Sequence, residues 1–437
     1  MKSSVGLEDL PVEILQNLTL LLEPDDVRSG VFGASTYLRD VFSDEVYWKL
    51  RCRRQYPARW MELCGSLQTQ TGYSQPSASE WREKFLRHHR KVKTLVSNQL
   101  STRSLTPWTV FNQHHHFWGT TTVSFCHSGR MVATGGDSPN VVSLWDVLDN
   151  AAPAFPLCQA VFHTDRVESL RSQGNLLSSA SRDKTIAISD LSFGLKRPPV
   201  QVLRSKSEIT SHEWRGDQVV TGSDDNLCEI FDLRTNSDVM RNISFSDTVD
   251  VIPSKRRQCR TLQPKFLDDH RIILLGKQRP NPSIKIHDLR NSKFVAEIEV
   301  PTHNLTNPAT ESTPKTEIQI DEGSLWYGAD RQLMQFNSST LELAVDHSNL
   351  LKNDGSLFAF HRANGVLFTV TERLQKNEDL LSGSFCVQAY ATGREKLWEQ
   401  TFPICGQKRV VIDFSEPACA FVIATDESTS LLTRKNN

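Results

Sequence analysis

Between residues 255 and 260 the chain sets Lys255, Arg256, Arg257 and Arg260 close together. Lys277 and Arg279 follow in "GKQRPNPS", and Arg166, Arg182 and Lys184 stand earlier, ahead of Arg204 and Lys206. Guanidinium forks take carboxylate or phosphate oxygens two at a time, so cations grouped in this way suit an acidic or phosphorylated peptide. The whole chain carries a net charge of −1, so any such attraction is a local field and not a global one. Asp224, Asp225, Asp250 and Asp330 sit on related segments and weaken that field.

Other residue types invite chemistry and do not sustain it. In "QHHHFW" (113–118), His114 and His116 would share one face of a strand while His115 points the other way. No cysteine or carboxylate nearby completes a tetrahedral set, so neither metal nor cofactor is expected. Cys158 and His163 are too close along the chain for a placed nucleophile and base. No phosphate-binding P-loop, nucleophile elbow or zinc-protease helix motif occurs, and the chain is expected to be non-catalytic. The basic run "LRHHRKVK" (86–93) favours a helix C-terminus, and without interleaved aromatics it predicts no nucleic-acid contact. The nine cysteines are scattered and never in a C-x-x-C pair, which predicts reduced thiols. With no apolar run of membrane-spanning length and no secretory leader pattern at "MKSSVGLEDLP", no membrane contact is expected, and the expected location is cytoplasm, nucleus or both.

Two periodicities organise the chain. In the stretch 7–95 apolar residues recur at helical spacing, beginning with Leu10, Ile14, Leu15, Leu18, Leu21 and Leu22. A second helix is expected around Val27 to Val41 and a third after a cap at 43–45, with Val46, Tyr47 and Leu50 inside. A polar stretch (65–79) ends in the capping box Ser77-Ala78-Ser79-Glu80, which opens a helix stacking Trp81 over Phe85. Beyond about residue 103 the period becomes two, and a longer repeat appears. Strand endings recur at "VSLWDV", "IAISDL", "CEIFDL", "IKIHDL", "LMQFNS" and "VQAYAT". Their equivalent residues Asp146, Asp190, Asp232, Asp288, Asn337 and Ala391 lie 44, 42, 56, 49 and 54 residues apart. "VVIDFSEPACAFVIATDESTSLLTR" (410–434) supplies one more degenerate copy. A period of about 40–45 residues with such endings marks a four-stranded propeller blade, and the count gives seven. The segment 105–111 is the expected closing strand, and "TERLQKNEDLLSG" (371–383) the expected exposed loop.

These phrases carry two family resemblances. "HTDRVESL" followed by "LSSASRDKTIAISDL" resembles a WD repeat. His163, Ser179 and Asp183 match three of that family's hydrogen-bonded positions, with Ser189 where the family has tryptophan. The third copy keeps Thr221 and Asp225, with Phe231 at the tryptophan position, and the first keeps Trp145-Asp146. The resemblance implies that loops carrying Arg166, Arg182, Lys184, 255–260, Lys277 and Arg279 share the family's usual binding rim. At the N-terminus, Leu10-Pro11, Glu13-Ile14-Leu15, Pro24, Asp26-Val27 and Trp48-Lys49-Leu50 resemble an F-box, and "RCRRQYP" and "SEWREKF" are similar to the helical linker that often follows one. Gly33 and Tyr37-Leu38 depart from the cysteine and tryptophan usual in its second helix. The F-box resemblance implies that Leu10, Pro11, Ile14, Leu15, Leu18, Val27, Trp48 and Leu50 meet an adaptor that leads to a cullin.

The expectation is therefore a mostly β chain with an N-terminal α-helical module: an F-box at 5–50, a helical linker at 51–102 and a seven-bladed WD-repeat propeller at 103–437. Its expected role is substrate recognition in an SCF-type ubiquitin ligase, with an acidic or phosphorylated protein target. The alternative is a propeller scaffold that binds the adaptor or another helical partner without degradation.

Overall fold

The structure, a computed structural model, describes residues 11–12, 14–15, 27, 35–55, 78–97 and 100–434, apart from 106–117, 139, 148–155, 236–238, 245–261, 277–282, 291–292, 301–315, 322, 330, 352–356, 364–365, 378–379, 392–395, 405–409, 416–419 and 426–428. The chain divides into two compact units, Met1–Thr94 and Leu95–Asn437.

The first unit is helical. Its described helices are α1 (Thr36–Ser43), α2 (Glu45–Gln55) and α3 (Ala78–Val96). α2 begins where expected, because the Asp44 carboxylate accepts the Val46 amide at 3.1 Å and satisfies one of the orphan donors of a first turn. The Trp48 indole donates to the Phe42 carbonyl at 2.8 Å and so caps the end of α1 from the next helix. Leu15, Val27, Leu38, Phe42, Tyr47, Trp48, Cys52, Trp81, Phe85 and Leu86 close into one buried cluster. Arg51 is fully buried among them. It donates to the Tyr47 hydroxyl at 2.8 Å and lies over the Trp48 and Phe85 rings at 5.9 and 5.4 Å, where ring faces replace part of its lost hydration. α2 runs through the expected boundary at residue 50.

The second unit is a ring of seven four-stranded antiparallel sheets. Blades 1 to 6 occupy residues 118–160, 167–204, 209–244, 262–299, 316–346 and 357–404, each built from consecutive strands. Blade 7 takes its three inner strands from 410–434 and its outermost strand from Leu100–Leu105. That strand pairs antiparallel with the last one, from Leu100↔Arg434 to Leu105↔Thr429, so the two ends of the unit close the ring. Closure thus falls just ahead of the expected 105–111 segment.

Apolar clusters lie between blades and not only within them. Val123, Phe125 and Trp145 of blade 1 pack with Ala420, Val422 and Leu431 of blade 7, and similar clusters join every other adjacent pair. Close approach demands small residues on the facing strands. A Cβ on Gly222 would collide with the Leu262 carbonyl oxygen of the next blade, and one on Gly328 would sit 2.6 Å from the Phe360 ring.

One expectation is overturned. Residues 371–377 and 380–383 are not loop, because they belong to a long hairpin between Val366–Asn377 and Leu380–Ala391, paired continuously from Val366↔Ala391 to Asn377↔Leu380.

Candidate interaction surfaces

Blade 2 shows how the rim is built. His163 precedes the first strand, Ser179 lies in the second, and Asp183 is in the turn before the third. The buried imidazole reaches Ser179 Oγ with Nε2 at 2.8 Å, and Asp183 Oδ2 and Thr185 Oγ1 with Nδ1 at 3.1 and 2.9 Å. Asp183 also accepts the Thr164 and Thr185 amides, each at 2.9 Å. Burial holds the His163 pKa below its ordinary value despite the Asp183 charge, so the ring is neutral. Burial alone would raise Asp183, but hydrogen bonds from Thr185 and Thr164 hold it low. The network ties the loop before the first strand to the turn after the second, which places both on one rim. Ser189, standing where the family has tryptophan, is buried, and its hydroxyl has no partner among the described residues. His163→Leu is expected to cost about 1–3 kcal/mol, read as a lower urea midpoint, because it strands Ser179 and Asp183.

Other blades solve the same problem differently. In blade 1 the Trp145 indole donates to Thr134 Oγ1 at 3.0 Å, while the Val147 amide donates to the Arg130 carbonyl at 2.9 Å just beyond Asp146. In blade 3 Asp225 accepts the Ser223 and Ser207 hydroxyls, and Phe231 fills the tryptophan position. Thr221 pairs with Glu229 as Ser179 pairs with Ala187. Glu229 is buried, and its carboxylate accepts the Lys206 amide at 3.3 Å, fastening the loop that lacks a histidine. On the opposite rim Asp190 accepts the Ser192 amide at 2.8 Å. Asp232 there holds Arg234 through both carboxylate oxygens, which draws the Asp232 pKa down to about 2.

The structure brings two of the expected basic residues together and leaves neither one unpaired. Arg166 lies 3.3 Å from both Asp137 and Glu168, and Arg182 lies 2.6 Å from the same Glu168. Two carboxylates thus offset two cations at this part of the rim. Lys184 sits in the adjacent turn at φ 70°. Lys255, Arg256, Arg257, Arg260, Lys277, Arg279 and the His114–His116 run lie outside the described residues. Among the described residues no group of three His, Cys, Asp or Glu is placed to hold a metal ion.

The helical signature residues divide into two sets. Leu15, Val27 and Trp48 are buried in the module's own core. Pro11 is exposed, as are Ile14 at 47% and Leu50 at 49%, together with Val12, Tyr37 and Val46. Leu10 and Leu18 lie outside the described residues.

One further set of residues stands out only once the ring is built. Ser124, Arg171, Glu213, Lys265, Gln319, His361 and Asp413 each stand one or two residues before the end of their blade's first strand. Arg171 and Lys265 meet Glu213 from either side at 3.2 and 2.6 Å. Gln319 contacts His361 at 3.1 Å and accepts the Arg362 amide at 2.9 Å, and Asp413 accepts the Phe125 amide at 2.7 Å across the closure. Glu213 is drawn down to about 2, because its two cations outweigh the effect of burial, whereas burial pushes Asp413 up. A carboxylate held that low is a poor base at neutral pH, so the arrangement serves as an electrostatic lock between blades. His212 lies beside it, fully buried, with Nε2 2.7 Å from Ser178 Oγ and Nδ1 without a partner among the described residues.

The ring of seven blades with these rim networks is consistent with a propeller of the WD-repeat type, a fold suited to protein interaction. Compared with known proteins, the chain matches no family model and no curated protein. No helix among the described residues is long and apolar enough to cross a membrane.

Proposed function

We propose that the chain is the substrate-recognition subunit of an SCF-type ubiquitin ligase: the helical module holds the adaptor and, through it, a cullin, while the propeller holds a target protein. The observation that carries this reading is the division of the helical signature. Leu15, Val27 and Trp48 build the module's core, while Pro11, Ile14, Val46 and Leu50 remain exposed on it. A helical module this small gains stability by covering such residues with a partner, at roughly 1.5–3 kcal/mol per fully buried side chain before ordering costs. The mechanism is proximity. Holding target and conjugating enzyme in one assembly raises their effective concentration and asks no chemistry of this chain.

Ile14→Asp with Leu50→Asp leaves the described core untouched and is expected to abolish co-purification of adaptor and cullin. A propeller-bound target should then accumulate in cells and lose its ubiquitin conjugates. Loss of the adaptor with no change in the target's level or conjugates would instead favour the non-degradative scaffold.

A further inference from the structure

We infer that the outer strand of blade 2 is a docking site for the target protein: Val200 and Val202 receive apolar side chains, and cations at both ends of that strip receive acidic residues flanking them. The proposal rests on the reading of the propeller as the target-holding unit, and it names where and by what chemistry the target is held.

The fourth strand of blade 2, Gln201–Arg204, alternates between two faces. Leu203 is fully buried and packs with Ile186, Ile188 and Ile209 toward blade 3. Val202 and Arg204 turn the other way, opposite Ala187 and Thr185 of the third strand. Val202 is 39% exposed, and Val200, whose amide donates to the Ile188 carbonyl at 2.7 Å, is 63% exposed. Single apolar residues on a surface need no explanation, but these stand two positions apart on one hydrogen-bonded strand. Their side faces blade 1, whose own outer strand turns Cys158, Ala160 and Phe162 onto the apolar cluster shared with blade 2. The loop after the third strand is pinned at the same place, because the Leu195 amide donates to Cys158 Sγ at 3.3 Å. From Val200 to Arg204 the strip is roughly 13 Å long at about 3.3 Å per residue, the span of about five residues of an extended peptide.

Charge brackets the strip. At one end Lys196 and Arg197 precede it, with the Arg197 guanidinium 3.6 Å over the Phe193 ring. At the other end Arg204 lies beside Lys184, whose carbonyl accepts the Ser205 amide at 2.8 Å. All four cations are exposed, and among the described residues none of them forms an ion pair. Arg166 and Arg182 differ, since Asp137 and Glu168 already answer them. This pattern selects the occupant. A second copy laid on the strip in either direction would set cation against cation. A short apolar segment with acidic residues on both sides complements it, because the valines take the apolar side chains and the exposed cations take the carboxylates.

The test pans a phage-displayed random dodecapeptide library against the full chain. Captured peptides are expected to share an apolar centre flanked by Asp or Glu, and to bind more weakly as salt rises. Val202→Asp and Arg204→Glu should each weaken them by about tenfold or more, the size of one lost apolar or charge-assisted contact. Both side chains are exposed, so the urea midpoint of each variant should match that of the unmodified chain. Replacing the acidic residues at one end of a peptide by Lys should restore binding to Arg204→Glu, and the same change at the other end should not. That reversal is a readout a merely unfolded variant would not give. Absence of enrichment, peptides without the acidic flanks, or binding indifferent to both substitutions would overturn the proposal. Adaptor binding is scored on the same preparations. Peptide capture without it would support this site while counting against the ligase, and failed capture beside intact adaptor binding counts against the site alone.

Discussion

Gly222→Val is expected to unfold the propeller at markedly lower urea, with a loss of about 3 kcal/mol or more. The cause is local and rigid. A Cβ at this position collides with the Leu262 carbonyl oxygen and meets its carbon at 2.8 Å. Both are backbone atoms of the neighbouring blade's first strand, and the same carbonyl already accepts the Ser211 hydroxyl at 2.6 Å. Relief requires moving one blade from the next, which opens the cluster of Val220, Ile230, Leu262 and Leu274. Gly174→Ala is the contrast. Gly174 has a φ of +59° with nothing within 4 Å of its added carbon, so only backbone strain of about 1 kcal/mol applies. Near-equal urea midpoints for the two variants would contradict the packing described between blades 3 and 4.

Mild acid is expected to destabilise the propeller through His212. Burial first, and then the Arg171 charge, lower its pKa from 6.5 to about 3, with Lys265 and His163 adding to the fall and Glu213 opposing it. The unfolded chain therefore takes up a proton below about pH 6.5 that the folded chain refuses until about pH 3. Stability tied to this group is full above the unfolded value and is lost as pH falls through that window. At about 1.4 kcal/mol for each pH unit below 6.5, the cost of going from pH 7 to pH 5 is roughly 2 kcal/mol. Glu213 acts in the same direction lower down, because its pKa falls from 4.5 to about 2 and its contribution is lost as pH drops through that range. His212→Gln lowers stability at neutral pH but is expected to flatten the slope of urea midpoint against pH between 6.5 and 5. An unchanged slope would mean that another group controls acid unfolding.

Much of this architecture is legible in local residues. The recurring endings around Trp145-Asp146, Asp190, Asp232 and Asp288 reveal the blades, because the end of each third strand repeats the same packing problem. Asp44 and Trp81 with Phe85 reveal helices through capping and spacing. The rest depends on long-range closure. The closing strand Leu100–Leu105 is short and polar at Ser101, Thr102 and Arg103, and its partner lies at the far end of the chain. The hairpin of blade 6 reads as loop because "TERLQKNEDLLSG" is rich in polar and charged residues and lacks a strict apolar alternation. Arg171, Glu213 and Lys265 look like ordinary outward-facing strand residues, and only ring closure sets them against one another. The pairing of Arg166 and Arg182 with Glu168 is hidden for the same reason, since residues 166 and 168 share a strand entrance while 182 comes from the next turn.

The proposed role of the helical module is to hold an adaptor through its exposed residues while the propeller holds a target protein. Its most direct test is the affinity of the purified chain for a purified SCF adaptor–cullin complex, measured beside Ile14→Asp with Leu50→Asp. The expected result is saturable binding by the unmodified chain, loss of that binding in the variant, and the same propeller unfolding midpoint for both. Equal binding by the two proteins, or none by either, would contradict it.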